Sequence, residues 1–196
     1  MDLGISPTDT NWRIARNAYV TDLRIARIAE MYALAETELA DVKAWAKAWR
    51  ADPSRCPWLL LVGPVGTGKT HAAIAALRRA VLVPRTVRWE FATCAQMLDD
   101  LRPGGPDDAD ERYMRCDLLL IDDIAMVKAN TEWAIEQIYR VIDTRRRNNR
   151  TTVITSNDVP ARLKELLNEQ IVSRIAQNCT LVALVGDDRR RAPKEA

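Results

Sequence analysis

The run GPVGTGKT, Gly63–Thr70, holds two glycines, a lysine and a threonine at the spacing G-x-x-x-x-G-K-[ST]. Glycines let a backbone curl tightly enough to turn its N–H groups toward phosphate oxygens. A helix starting at the end of the run adds the positive end of its dipole. Lys69 is positioned by this pattern to neutralise β and γ phosphates, and the Thr70 hydroxyl to face a Mg²⁺ ion. The nucleotide-contacting set is therefore Gly63, Pro64, Val65, Gly66, Thr67, Gly68, Lys69, Thr70 and the adjoining His71, with ATP or ADP as ligand. His71, the one histidine in the chain, also reads as a packing or capping residue on the first helical turn.

Three further groups suit the same chemistry. LLLIDD puts Asp122 and Asp123 after an apolar run. Asp122 is expected to hold Mg²⁺ through water, and Asp123 to polarise an attacking water. VITSN ends on Asn157, whose amide can reach both a γ phosphate and that water; a plain Asx turn is the alternative. Arg174 sits among Ile171, Val172 and Ile175, so its helix faces a core while the guanidinium projects. It reads either as a cation offered to a neighbouring molecule's nucleotide or as a surface arginine paired with a carboxylate.

Elements that would position these groups alternate along the chain. Strands are expected at Trp58–Val62, Thr86–Ala92, Leu118–Ile121, Thr152–Thr155 and Thr180–Val185. Helices are expected at His71–Val83, Cys94–Leu101, Thr131–Arg147 and, as one or two pieces, Pro160–Gln177, with a loop at Pro103–Asp110. This is an α/β pattern: a five-stranded, mostly parallel sheet flanked by helices, whose ligands bind at the carboxyl ends of the strands. Every motif above follows a predicted strand.

Residues 11–51 contain neither Gly nor Pro and are rich in helix formers. Apolar residues at Ile25, Ile28, Tyr32, Ala35, Leu39, Val42, Ala46 and Trp49 are spaced alternately by three and four, a seam of about four heptads. Such a seam needs a partner, either its own domain or another protein. The expected organisation is a helical extension over residues 1–52, an ATPase domain over 53–186 and a basic tail over 187–196.

With 29 basic and 27 acidic side chains the net charge is +2, which does not by itself point to nucleic acid. Arg78, Arg79, Arg85 and Arg88, then Arg145, Arg146, Arg147 and Arg150, and the terminal Arg189–Arg191 form local basic groups that suit either DNA or compensation of a helix dipole. No run approaches the ~18 apolar residues of a membrane span, and the polar start MDLGISPTDTNWR has no apolar leader core. Cysteines at 56, 94, 116 and 179 form no close pair, so buried reduced thiols and a cytoplasmic setting are expected rather than zinc.

GPVGTGKT, LLLIDDIA, TSN and SR, in this order, resemble the AAA+ ATPases of the initiator and helicase-loader branch. They are similar above all to the DnaC-type loader of the bacterial replicative helicase, and to its sister, the IstB-type transposition helper. The resemblance spans about residues 57–190. It implies Walker A roles for Lys69 and Thr70, Walker B roles for Asp122 and Asp123, a sensor role for Asn157 and an arginine-finger role for Arg174. Asp123 is shorter than the glutamate usual there, so slow hydrolysis is expected. The family's helical lid is expected to be missing or vestigial, with Gly186 and Arg189 or Arg190 as a trace of its second sensor.

The implied function is ATP-dependent loading of a replicative helicase onto single-stranded DNA during replication initiation, by a head-to-tail ring or spiral. Trp45 and Trp49 are the expected aromatic anchors for the helicase, and deleting residues 1–50 is expected to abolish that contact while sparing ATP binding. Alternatives are a transposition helper acting on duplex DNA, a small-molecule phosphotransferase, and a nucleotide-gated adaptor with little turnover.

Overall fold

The computed structural model describes residues 10–28, 30–125 and 131–186. The masses of apolar residue in the central segments become strands β1 (Trp58–Val62), β3 (Leu118–Asp122) and β4 (Thr151–Ser156), which lie inside a five-stranded sheet. Its edges are β2 (Trp89–Thr93) and β5 (Cys179–Ala183). The order is β2-β3-β4-β1-β5 and every pairing is parallel. The chain leaves β1 for the far edge and returns through β3 and β4, then crosses to β5. The connections from β1 and β4 therefore diverge in opposite directions, which opens a crevice at the carboxyl ends of those strands.

Successive strand side chains point to opposite faces and so feed two cores. Leu59, Leu61, Leu118, Leu120 and Val153 face helices α2 (Ala40–Ala51) and α3 (Lys69–Ala80). Leu60, Leu119, Ile121 and Ile154 face α4 (Cys94–Asp100), α5 (Ala109–Arg115), α6 (Glu132–Arg147), α7 (Pro160–Leu167) and α8 (Glu169–Ala176). Side-chain caps fix three of these helix starts: Thr93 accepts from Gln96 N, Thr131 from Ala134 N, and Asn168 from Ile171 N. Asn168, with φ of 84°, is also the break that divides Pro160–Gln177 into two helices.

Residues 11–51 are not one helix. Helix α1 (Thr10–Ile28) gives way to a 3-10 turn at Glu30–Tyr32 and an extended stretch before α2. Tertiary contacts override helix propensity here. Arg78 of α3 takes the Ala35 carbonyl at 2.7 Å and binds Asp22 of α1, and Thr37 accepts from Leu39 N at 3.2 Å, a local bond that competes with helix. The tryptophans expected to anchor a partner are core residues: Trp45 is 3% exposed and Trp49 0%. They sit with Val42 and Ala46 against α3, because their faces match its alanine-rich side. Deleting residues 1–50 would therefore strip α3 of its cover, so this truncation is expected to cost the ATP site along with any partner contact.

Two further expectations change. The loop expected at Pro103–Asp110 gives way at its last two residues to α5 (Ala109–Arg115), which the sequence reading did not include; its Tyr113 is buried and donates to Asp100 at 2.5 Å. Most of the basic groups are already paired: Arg79 with Glu36, Arg88 with Glu111, Arg150 with Asp117, while Arg85 lies 4.7 Å from the Trp49 ring centre and Arg145 is fully buried. Opposite charges on elements adjacent in space, which linear spacing hides, use these cations internally. The group Arg189–Arg191 lies outside the described residues, as do residues 187–188 and 192–196 of the tail. Among the described residues no helix is long and apolar enough to cross a membrane, and the four cysteines are unpaired, three of them buried and Cys179 partly so.

Candidate functional site

The loop Gly63–Thr70 joins β1 to α3 and curls over the carboxyl ends of β1, β3 and β4. Its first glycine is required by close approach: a Cβ on Gly63 would stand 2.2 Å from the Leu184 carbonyl oxygen. Gly68 starts α3 at φ 91°, left-handed backbone that glycine adopts without penalty. Within the loop, the Pro64 carbonyl accepts from Thr67 Oγ1 at 2.8 Å and from Lys69 Nζ at 2.7 Å. Lys69 is thus folded back under the loop, with its head at the mouth of a cleft of about 580 Å³.

That cleft gathers four elements. Val65, Gly66, Gly68, Lys69, Thr70 and His71 come from the loop and α3; Asp122 and Asp123 from the end of β3; Thr155 and Asn157 from the end of β4; Met31 and Tyr32 from the 3-10 turn. Asp122 Oδ1 accepts from Thr70 Oγ1 at 2.9 Å and from Thr155 Oγ1 at 2.6 Å. Thr155 Oγ1 also accepts from Asp123 N at 2.8 Å, and Asn157 Nδ2 donates to Asp123 Oδ1 at 2.8 Å. A continuous polar chain therefore runs from the helix start across two strands, holding both carboxylates. A family model for IstB-like ATP binding proteins matches residues 13–196.

The chain belongs to this family.

As such it is an IstB-like ATP-binding protein. Among its relatives is an ATP-binding protein of an insertion sequence of Mycobacterium tuberculosis. That protein is 32% identical over 160 residues, covering 75% of this chain and 62% of its own length. The chromosomal replication initiator DnaA of Campylobacter jejuni is 30% identical over 122 residues, 60% of this chain and 27% of that protein. The chain thus spans about a quarter of the length of the DnaA proteins it matches. A crystal structure of the DnaC helicase loader superposes with a TM-score of 0.69 at 23% identity, covering 80% of this chain and all of that one. The fold is accordingly that of this group.

Of the expected nucleotide set, this family member brings six residues to the cleft. Gly63, Pro64 and Thr67 lie behind, shaping the loop. His71 lies at its rim and is also a packing residue: its Nε2 is 2.9 Å from the Glu36 carbonyl, and its ring meets Tyr32 edge-on at 6.3 Å between centroids. Thr155, Met31 and Tyr32 were not singled out from sequence. Thr155 stands in the same TSN run as Asn157, so its place at the strand end was visible and its hydroxyl's two bonds were not. Met31 and Tyr32 reach the cleft only because the chain folds back at residue 30.

Arg174 does not reach the cleft. It lines a recess with Trp58, Thr151 and Asn178, at the amino-terminal starts of β1, β4 and β5. A five-residue strand is about 17 Å long, so the whole sheet separates Arg174 from its own phosphate loop. In this chain it donates from Nε to Asp143 at 2.8 Å and lies over the Tyr139 ring at 4.6 Å.

The donor chemistry fits a Mg²⁺ ion held largely by water and phosphate. Thr70 and Asp122 supply one hydroxyl and one carboxylate at hydrogen-bonding separation, and among the described residues no cluster of three or more His, Cys, Asp or Glu offers a full protein cage.

Asp123 is held above the ordinary aspartate value, first by burial and then by the adjacent Asp122 carboxylate, while Lys69 and Asn157 pull it down. It also sits at φ 58°, a conformation asparagine tolerates better than most residues. A raised acid binds its proton more tightly when folded. Its contribution to stability is therefore whole below the ordinary aspartate value of 3.8 and is lost as pH rises through the folded value. Asp123→Asn abolishes that loss. The nucleotide-free variant is expected to melt at higher temperature than the parent at pH 7, with the gap closing toward pH 4, as followed by circular dichroism. An equal Tm at both pH values would show that the charge costs nothing here.

Proposed function

We propose that the chain is an ATP-switched helicase loader, in which ATP is hydrolysed only between assembled copies. The observation that supports this most is the division of the machinery. Lys69, Asp122, Asp123 and Asn157 share one cleft, and Arg174 lies beyond the opposite end of the sheet. A site needing all of them is complete only where one copy's Arg174 meets the next copy's cleft, a head-to-tail contact that builds rings or spirals.

In this reading the loop N–H groups and Lys69 bind the β and γ phosphates, and Met31 and Tyr32 form the wall against the base. Thr70 and Asp122 hold Mg²⁺, which supplies charge neutralisation to the phosphates when bound. Asn157 and the Thr155 hydroxyl orient Asp123 and its backbone. Asp123 accepts the proton of the attacking water as the water oxygen bonds to the γ phosphorus and the β–γ bridging bond breaks. Arg174 from the next copy stabilises the charge that builds up on the γ phosphoryl oxygens. ATP then serves as a switch for assembly and partner release.

Partner contact is assigned to the part of the helical segment that stays exposed and apolar: Tyr19, Val20 and Leu23 on the outer side of α1, opposite Asn17, Thr21 and Ile25. The test is co-purification with the replicative helicase of the same genome, with and without ATP. Helicase capture in ATP, lost in a Tyr19→Ala/Leu23→Glu variant that still binds ATP, is the expected result, together with preference for single-stranded over duplex DNA. No capture under any nucleotide would sink the loader reading. A second reading, the transposition helper, draws support from the Mycobacterium tuberculosis insertion-sequence relative. Its signature is capture of a transposase and preference for duplex DNA. An ATP hydrolysis rate that stays negligible with partner and DNA present would mark a nucleotide-gated adaptor instead.

A further inference from the structure

Where α6 and α8 end lies a recess of about 450 Å³ formed by Asp143, Arg146, Arg147, Arg174 and Gln177. Asp143 is its organising group. One carboxylate oxygen takes Arg174 Nε at 2.8 Å and the other takes Arg147 Nη2 at 2.8 Å, so a single acid holds two guanidiniums side by side. The Asp143 side chain is 14% exposed and well fixed, whereas Arg147 is 75% exposed and open to a ligand. Tyr139, one turn before Asp143, supplies the ring on which Arg174 lies.

Charge decides what this recess would take. Three arginines against one aspartate leave a formal surplus of +2. The carboxyl ends of α6 and α8 contribute roughly half a negative charge each, which still leaves the recess positive. The recess is thus built for an anion rather than for a self-contained ion pair. Its place in the fold indicates which one. Arg174 also lines the recess at the amino-terminal starts of β1, β4 and β5, away from the chain's own phosphate cleft, so in the proposed head-to-tail assembly this is the surface that meets the next copy's bound triphosphate.

We infer that Asp143 is a positioning residue that holds Arg174 and Arg147 as a pair, and that both guanidiniums meet the terminal phosphate of ATP bound to the next copy. This rests on the reading that the site is completed between copies and adds to it a second arginine and the carboxylate that aligns the two. Arg147, read in the sequence as dipole compensation or DNA contact, acquires a role through Asp143, four residues earlier on the same helix face.

The test uses mixtures of full-length chains. A Lys69→Ala copy, kept at an ATP concentration below its weakened affinity, stays largely empty and still presents the recess; an Arg174→Ala copy holds ATP and lacks the finger. Each alone is expected to be inactive, and the mixture to regain hydrolysis. Arg147→Ala or Asp143→Asn is then added to the Lys69→Ala copy. The expected result is a fall in kcat of about tenfold or more with KM for ATP unchanged, partly rescued by Asp143→Glu. The same changes added to the Arg174→Ala copy should cost nothing further, since that recess is unused. Full hydrolysis with either change in the Lys69→Ala copy overturns the inference and leaves the between-copies reading standing. Equal losses from both copies overturn it as structural damage. If Arg147→Ala instead weakens binding of a single-stranded oligonucleotide while the mixture hydrolyses normally, the recess is a DNA contact and the inference falls. If the starting mixture stays inactive, the between-copies reading fails, and this inference with it.

Discussion

Lys69→Ala is expected to weaken ATP binding by roughly 30-fold to several thousandfold, the effect of losing about 2–5 kcal/mol from one truncated charge pair. The lysine is 7% exposed and its ammonium is already held at the cleft by the Pro64 carbonyl at 2.7 Å. Little ordering remains to be done when phosphate arrives, so most of the attraction is realised as affinity. The same lysine also pulls Asp123 down. Its removal should push Asp123 further up and add to the cost of ionising that group in the nucleotide-free protein. Titration calorimetry with ATP, together with melting at pH 5 and pH 8, reads both effects. Binding within threefold of the parent would mean that the phosphates do not lie along Lys69.

The second large effect concerns stability. Arg145 lies in the last turn of α6, within an RRR run, and is fully buried. Its Nε donates to Thr152 Oγ1 at 2.9 Å, Nη1 to the carbonyls of Tyr113 at 2.9 Å and Cys116 at 3.0 Å, and Nη2 to the Thr151 carbonyl at 2.6 Å. One planar fork thus joins α6 to the end of α5 and the start of β4, a geometry an ammonium cannot copy. Arg145→Met fills similar space and leaves three carbonyls without these donors. At roughly 1–3 kcal/mol for a buried group left unsatisfied, a net loss of about 3–5 kcal/mol is expected. Against a domain stability of about 5–15 kcal/mol this is a large fraction. Urea unfolding should show the midpoint falling with its slope unchanged, and Arg145→Lys should recover only part of the loss. A parent-like midpoint would remove the structural role and return Arg145 to the surface-charge readings.

The phosphate loop, the acidic pair and the strand–helix alternation were legible because their determinants are local. Glycine, lysine and threonine at set intervals specify a turn and its chemistry, and continuous apolar runs such as Leu118–Ile121 specify strands buried on both faces. Asn157 was legible for the same reason, standing at the end of such a run. Residues 11–51 were harder: propensity and seam spacing both described helix, and neither encodes a fold-back held by Arg78 from more than forty residues away. Trp45 and Trp49 therefore resembled exposed anchors until α3 covered them.

By itself, the sequence determined the loop pattern at Gly63–Thr70 that suits a nucleotide's phosphates, the acids at the end of a later strand, and a mostly parallel sheet. Only the tertiary structure decided the fate of the arginines. Alike in type, they became a buried tie at Arg145, partners of acids on other elements at Arg78, Arg79 and Arg150, and a pair sharing the Asp143 carboxylate at Arg147 and Arg174. A guanidinium's role is set by which acceptors lie within about 3 Å of it, and those come from elements distant in the chain.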